Sequence, residues 1–146
     1  MPDELLKKNQ EVFKIKPIGY VKNEFFESAE SEKMRQKNSY IVIYPEFQEG
    51  LYGIEESNFL NVIFYFHKSV GYTLKGARRR GVIRGIFASR SPRRPVSLGL
   101  TLVKLLEKKG NKLKVKGLDA INGTPVLDIK PYVGKMDNPT FPTNNP

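Results

Sequence analysis

His67 is the one imidazole in the 146-residue sequence, and it ends an apolar and aromatic run, Phe59-Leu-Asn-Val-Ile-Phe-Tyr-Phe-His67, beside Lys68 and Ser69. An imidazole at a strand end can move a proton near neutral pH, although a lone histidine is more often structural. Further along, Arg90-Ser-Pro-Arg-Arg-Pro95 sets three guanidiniums, those of Arg90, Arg93 and Arg94, on a loop stiffened by two prolines. Guanidinium is suited to bidentate capture of phosphate or carboxylate, and rigid placement lowers the entropic cost of binding. An ordinary turn with solvated arginines has the same composition. Asn122-Gly-Thr-Pro125 carries two residues tolerant of positive φ, and a turn accounts for it without a ligand. Asp119 and Asp128 lack the placement that would nominate them as an acid/base pair.

With no Cys and one His, a structural zinc site, an iron–sulfur cluster and a thiolate nucleophile are excluded. No Gly-x-Gly-x-x-Gly follows a strand pattern and no Gly-x-x-x-x-Gly-Lys-Ser/Thr occurs, which argues against the commonest nucleotide folds. The net charge of +10 is concentrated. Between Glu56 and Glu107 lie 50 residues without Asp or Glu that hold ten bases, Arg78, Arg79 and Arg80 among them; the remaining chain has 15 of each sign. Folded onto one face, this segment attracts polyanions by releasing their counterions, with binding that weakens as salt rises. A solvated basic face kept for solubility is the plainer alternative.

The elements that must hold these groups read as short strands. Phe13, Ile15 and Ile18–Val21 suggest a first strand interrupted at Pro17, and Tyr40–Tyr44 a second stopped by Pro45. Residues 28–38 read as a long loop or marginal helix. The run 59–67 is the best-marked strand, with Phe64 and Phe66 as wall and core and Tyr65 able to face out. Residues 75–84 read as an exposed, mobile loop ahead of a strand at 82–88. A strand at 98–106, a hairpin about Gly110-Asn111 and a strand at 126–130 follow; Lys112, Lys114 and Lys116 alternate with Leu113 and Val115. Six or seven strands with hardly a helix predict an all-β, small closed or partly closed barrel, since closure removes strand edges. The reading is a single domain over 1–136, with residues 1–12 a short helix or loose arm and the Pro- and Asn-rich stretch 137–146 a disordered tail. The first residues lack the basic-then-apolar order of a secretory signal, and no apolar run reaches the ~20 residues of a membrane span, so a soluble, cytoplasmic protein is expected.

Several stretches taken together resemble one family, the TsaA-like (TrmO-type) tRNA methyltransferases. They are Ile18-Gly-Tyr-Val21, Met34-Arg-Gln36, the segment from Ile41-Val-Ile43 through Pro45-Glu-Phe47 to Ile54, Phe66-His-Lys-Ser69, Gly85 through Pro95, Gly99-Leu-Thr101 and Gly117 through Tyr132. Each piece is weak; their order is specific, and it covers 18–132. The resemblance implies a small β-barrel that binds S-adenosylmethionine outside the doubly wound class, commonly as a homodimer with the cofactor near the interface. It also implies methylation of N6-threonylcarbamoyladenosine beside the anticodon of tRNA. Carried over motif by motif, the cofactor positions are Met34, Arg35, Gln36, His67, Lys68, Arg90, Leu100, Asn122, Gly123, Thr124 and Pro125, with no metal or membrane involved. On this reading His67 is the candidate general base, Arg90 holds a carboxylate, and Arg78, Arg79, Arg80, Arg93 and Arg94 grip tRNA phosphates. The chain departs from the family pattern at Met34, usually Pro; at Val96-Ser97-Leu98, usually Asn-Pro-Ile; and at Asn122, usually Asp. An S-adenosylmethionine-binding module or regulator without methyl transfer, and a non-catalytic basic RNA-binding barrel, are the rival expectations.

Overall fold

A computed structural model describes residues 11–27 and 31–139. Within them the strands are β1 (Gly19–Lys22), β2 (Asn38–Ile43), β3 (Phe59–Tyr65), β4 (Lys75–Ala77), β5 (Ile83–Gly85), β6 (Leu98–Lys109), β7 (Lys112–Lys116) and β8 (Pro125–Pro131). Six of them close an antiparallel barrel in the order β1-β2-β7-β6-β3-β8, and β4 pairs with β5 in a separate two-stranded arm. One short helix, α1 (Ser31–Gln36), precedes β2, and a second, α2 (Gly134–Asp137), follows β8.

Alternation decides which side chains fill the barrel. Leu60, Val62 and Phe64 of β3 and Leu113 and Val115 of β7 point inward and are buried. Lys112 and Lys116 lie exposed on the opposite face of β7. With Val21, Ile41, Ile43, Val103 and Val126 the inward residues form one apolar cluster. β-branched and aromatic side chains suit the pleated wall, and burying each removes apolar area from water, worth about 1.5–3 kcal/mol apiece. Gly110 takes φ +63° in the β6–β7 turn, and Asn111 ties that turn to the end of β2 by donating Nδ2–H to the Ile43 carbonyl (2.7 Å). At Gly99 a Cβ would lie 2.4 Å from the Phe64 ring, so a hydrogen there is a condition of packing Phe64.

The expected all-β barrel is present, with six strands. Phe13 and Ile15 are exposed and outside any strand; β1 begins at Gly19, after Pro17. Residues 75–85 form the β4–β5 hairpin where a loop ahead of a strand at 82–88 was expected, and Ile86–Ala88 form a 3-10 turn. The tie from the Ile86 N–H to Leu74 O (2.8 Å) closes this arm on itself, so it contributes no strand to the barrel. The Asp137 carboxylate accepts the Val133 N–H (2.7 Å), which holds α2 as one turn ending at Asp137. Residues 1–10 and 140–146, where the helix or arm and most of the tail were expected, lie outside the described residues.

Candidate functional site at the polar end of the barrel

Because every neighbouring pair is antiparallel, the ends of β1, β3 and β7 meet the starts of β2, β6 and β8 at one end of the barrel. The registers Lys22↔Tyr40, Tyr20↔Pro125, Asn38↔Lys116 and Tyr65↔Leu98 fix this arrangement. At this end the inward-facing row turns polar. Ser39 stands on the buried side of β2, and Thr101 lies between Gly99 and Val103 on the inner side of β6. A polar group in such a place needs a partner, since leaving its hydrogen bond unmade costs about 1–3 kcal/mol. Ser39 Oγ accepts from Asn23 Nδ2 (3.0 Å), and Thr101 Oγ1 donates to Asp119 Oδ1 (2.7 Å).

Asp119 joins three elements. Its second oxygen pairs with Arg35 Nη2 at 2.8 Å, so the loop after β7 is bound both to β6 and to α1. Helix α1 is anchored by Met34, whose side chain is buried, while Arg35 and Gln36 are exposed. The departure from Pro at 34 is thus absorbed in the interior, and the groups of this triplet that can meet a ligand are Arg35 and Gln36.

The Asn122 turn is built with the same thoroughness. Asn122 Oδ1 accepts the Asn23 N–H (3.0 Å), and the Asn122 N–H donates to the Phe25 carbonyl. Asn23 Nδ2 also donates to the Ala120 carbonyl (2.8 Å), and Thr124 Oγ1–H to the Ile121 carbonyl (2.7 Å). Gly123 takes φ +83° with open space where a Cβ would stand, so glycine here is required by conformation. An Asp at 122 can accept the same backbone N–H and keep a second oxygen for another donor. Asn presents its Nδ2 donor there.

Arg90 reaches β6, donating Nη2–H to the Leu100 carbonyl (2.5 Å), which brings the arginine loop to the same barrel end. Arg94 braces its own loop, with Nη1 on the carbonyls of Ser89 (3.0 Å) and Ser91 (3.1 Å), while Arg93 is exposed. Ser97 secures the altered stretch after that loop: its carbonyl accepts the Phe66 N–H (2.8 Å) and its Oγ–H donates to the Arg94 carbonyl (3.3 Å). His67 and Lys68 lie in the turn that follows β3, His67 two residues beyond the strand. The expected cofactor positions therefore all lie on segments that open at, or are tied to, one end of the barrel. Arg78, Arg79 and Arg80 stand apart from it at the tip of the β4–β5 arm. Arg78 folds back, donating Nη2–H to the Thr73 carbonyl (2.8 Å); Arg80, at φ +63°, is exposed.

Sequence reasoning missed Asp119, Thr101 and Asn23 as parts of this site. Asp119 had a signal: it is the one carboxylate in a lysine-rich stretch between Glu107 and Asp128. Thr101 had another, a hydroxyl on the inner register of a strand. Asn23 had none, because its role depends on chain segments about a hundred residues away.

The opposite end is different. A cavity of about 480 Å³ lies there, lined by Ile18, Ile43, Phe47, Leu51, Ile54 and Ile129, with Glu56 and Asp128 at its polar side. It is roofed by the 3-10 segments Pro45–Leu51 and Ile54–Glu56, and residues 45–56 carry four glutamates and no base. Such a lining offers no cation to an anionic substrate.

Comparison with known proteins identifies the family. A family model described as the tRNA-methyltransferase O N-terminal domain matches residues 22–138. The chain belongs to this family. It is 37% identical over 132 residues to an Archaeoglobus fulgidus protein named S-adenosyl-L-methionine-binding protein, covering 84% of this chain and 91% of that one. It is 36% identical over 137 residues to the human protein named tRNA (adenine(37)-N6)-methyltransferase, covering 84% of this chain. The crystal structure of TrmO from Pseudomonas aeruginosa superposes with a TM-score of 0.74 at 29% identity over 92% of this chain. The chain spans 31% of the human relative and 62% of the Pseudomonas chain, so in both cases the family domain is part of a longer protein.

Proposed function

We propose that this chain is an S-adenosylmethionine-dependent methyltransferase acting on tRNA at N6 of an adenine, with N6-threonylcarbamoyladenosine beside the anticodon as the substrate nucleoside. The observation that carries the reading is the gathering of positions 34–36, 67–68, 90, 100 and 122–125, scattered in sequence, around one polar barrel end in a chain of the tRNA-methyltransferase O family.

The groups present fit the cofactor. Arg35 is neutralised by Asp119, so that pair adds no surplus positive charge beside a sulfonium. Arg90 spends one N–H on Leu100 and keeps others for a carboxylate, and Asn122 Nδ2 is a donor beyond the turn it stabilises. Arg35, Gln36, Arg90 and Asn122 are the residues assigned to hold the cofactor, which when bound supplies a methyl group on sulfur for in-line displacement. Positioning does most of the work in such a reaction, and a site cross-linked by Asp119, Asn23 and Ser97 has little freedom to reorganise. His67, at the rim, takes the proton that the acceptor N6 gives up, which is worth roughly a hundredfold in rate. Exposed arginines of the arm and of the 90–95 loop hold the phosphates.

The active form is a homodimer. What supports this is the outer face of β6, where Leu98, Leu100 and Leu102 stand exposed in a row, beside Tyr65 of β3. An apolar strip of this kind on a barrel wall favours a partner surface, and Leu100 borders Arg90. Incubating the protein with methyl-labelled S-adenosylmethionine and tRNA carrying unmethylated threonylcarbamoyladenosine tests the reading. A labelled, N6-methylated nucleoside is expected on digestion. Retained cofactor with no label in RNA would make the chain a binding module.

A further inference from the structure

The turn after β5 sends two consecutive apolar residues in opposite directions. Ile86 is 1% exposed, whereas Phe87 is 77% exposed. The backbone that presents Phe87 is held at several points. The Ile86 N–H donates to Leu74 O (2.8 Å), Ser89 Oγ–H donates to Ile86 O (2.8 Å), and Arg94 fastens the Ser89 carbonyl (3.0 Å). Phe87 is thus an aromatic ring on a braced turn, and Tyr72, at the start of the same arm, is 51% exposed. Every charged residue of this arm is a base, since residues 57–106 contain no Asp or Glu. An occupant that meets both the exposed ring and the bases of this segment has to offer flat apolar surface and negative charge. A second copy of the arm would bring cations against cations. Unpaired nucleotides offer both, through base faces and phosphates.

We propose that Phe87 is a base-stacking platform, taking the face of an unpaired nucleobase of the RNA whose phosphates are held by Arg80, Arg84 and Arg93. This rests on the reading that the chain acts on tRNA and adds to it the residue that tells a loop from a duplex. Stacking is blind to salt while phosphate contacts are not, so the two contributions separate experimentally.

The test is equilibrium binding of the full chain to an RNA hairpin with an unpaired loop, and to a continuous duplex of the same stem, across a salt series. Wild type, Phe87→Ala and Phe87→Trp are compared, with thermal melts as a folding control. Phe87→Ala is expected to weaken loop binding by about 5- to 150-fold, to leave duplex binding and the salt slope unchanged, and to be rescued by Phe87→Trp. Equal affinity of Phe87→Ala and wild type for the loop, or equal loss on loop and duplex, would overturn the stacking role while leaving the tRNA reading intact. A wild type that binds neither RNA would overturn both. Sedimentation of Phe87→Ala at half the wild-type mass would reassign the face to a second copy, and Phe87-dependent binding to phosphatidylserine vesicles without an effect on RNA would reassign it to a membrane.

Discussion

The two ends of the barrel are made by the same six strands and carry opposite chemistry. At one end, inward positions hold Ser39 and Thr101, and loops from distant parts of the chain are stitched by Asp119, Asn23 and Asn122. At the other, inward positions stay apolar through Ile43, Leu51 and Ile129, and a cavity remains beneath an acidic cover. A cavity by volume alone is therefore a poor guide to function here. What marks the polar end is a set of hydrogen-bonding groups in the interior, satisfied by residues far away in sequence, which fixes the donors at the rim in place.

If chemistry belongs to the polar end, His67→Gln should lower kcat by roughly a hundredfold while cofactor affinity stays within a few fold, and Glu56→Gln at the cavity should leave kcat as it is. Steady-state kinetics and calorimetry of both variants check this; near-normal turnover of His67→Gln removes it as the base. Asp119→Ala should cost about 1–3 kcal/mol of stability in a denaturant titration, because Thr101 loses its acceptor and Arg35 its carboxylate. It should also weaken cofactor binding, whereas Asp119→Asn should recover most of the stability. Changing Arg80, Arg84 and Arg93 together to Ala should reduce the salt slope of RNA binding by about 0.7 for each phosphate no longer neutralised, with cofactor affinity intact. Equal loss of cofactor affinity would deny that the arm and the polar end divide the labour. The smallest effect is expected at the apolar end, where Ile129→Val should cost about 0.5–1.5 kcal/mol of stability and nothing in turnover.

The wall of the barrel is legible in the sequence and its rim is not. Alternation in Leu113 and Val115 against their lysines, and in Leu60, Val62 and Phe64, is a local signal, and each of these strands forms where its pattern lies. The arm is harder to read, because Val82-Ile-Arg-Gly-Ile looks like a strand with a buried face. Pairing with only three residues of β4 leaves Ile83 exposed and ends the strand at Gly85. The individual site positions are reachable through ordered motifs, but the Arg35–Asp119–Thr101 link joins residues up to 84 apart. No periodicity reports such a contact; only closure of the barrel creates it. Arg94, counted among the phosphate-binding residues by its type, spends Nη1 on carbonyls of its own loop, a use that composition cannot reveal.

A crystal structure of the full chain grown with S-adenosylhomocysteine tests the assignment of chemistry to the polar end most directly. The ligand should lie against Arg35, Gln36 and Asn122 with its carboxylate toward Arg90. Density for it in the cavity beside Ile43, Phe47 and Leu51, with the polar end empty, would contradict the account.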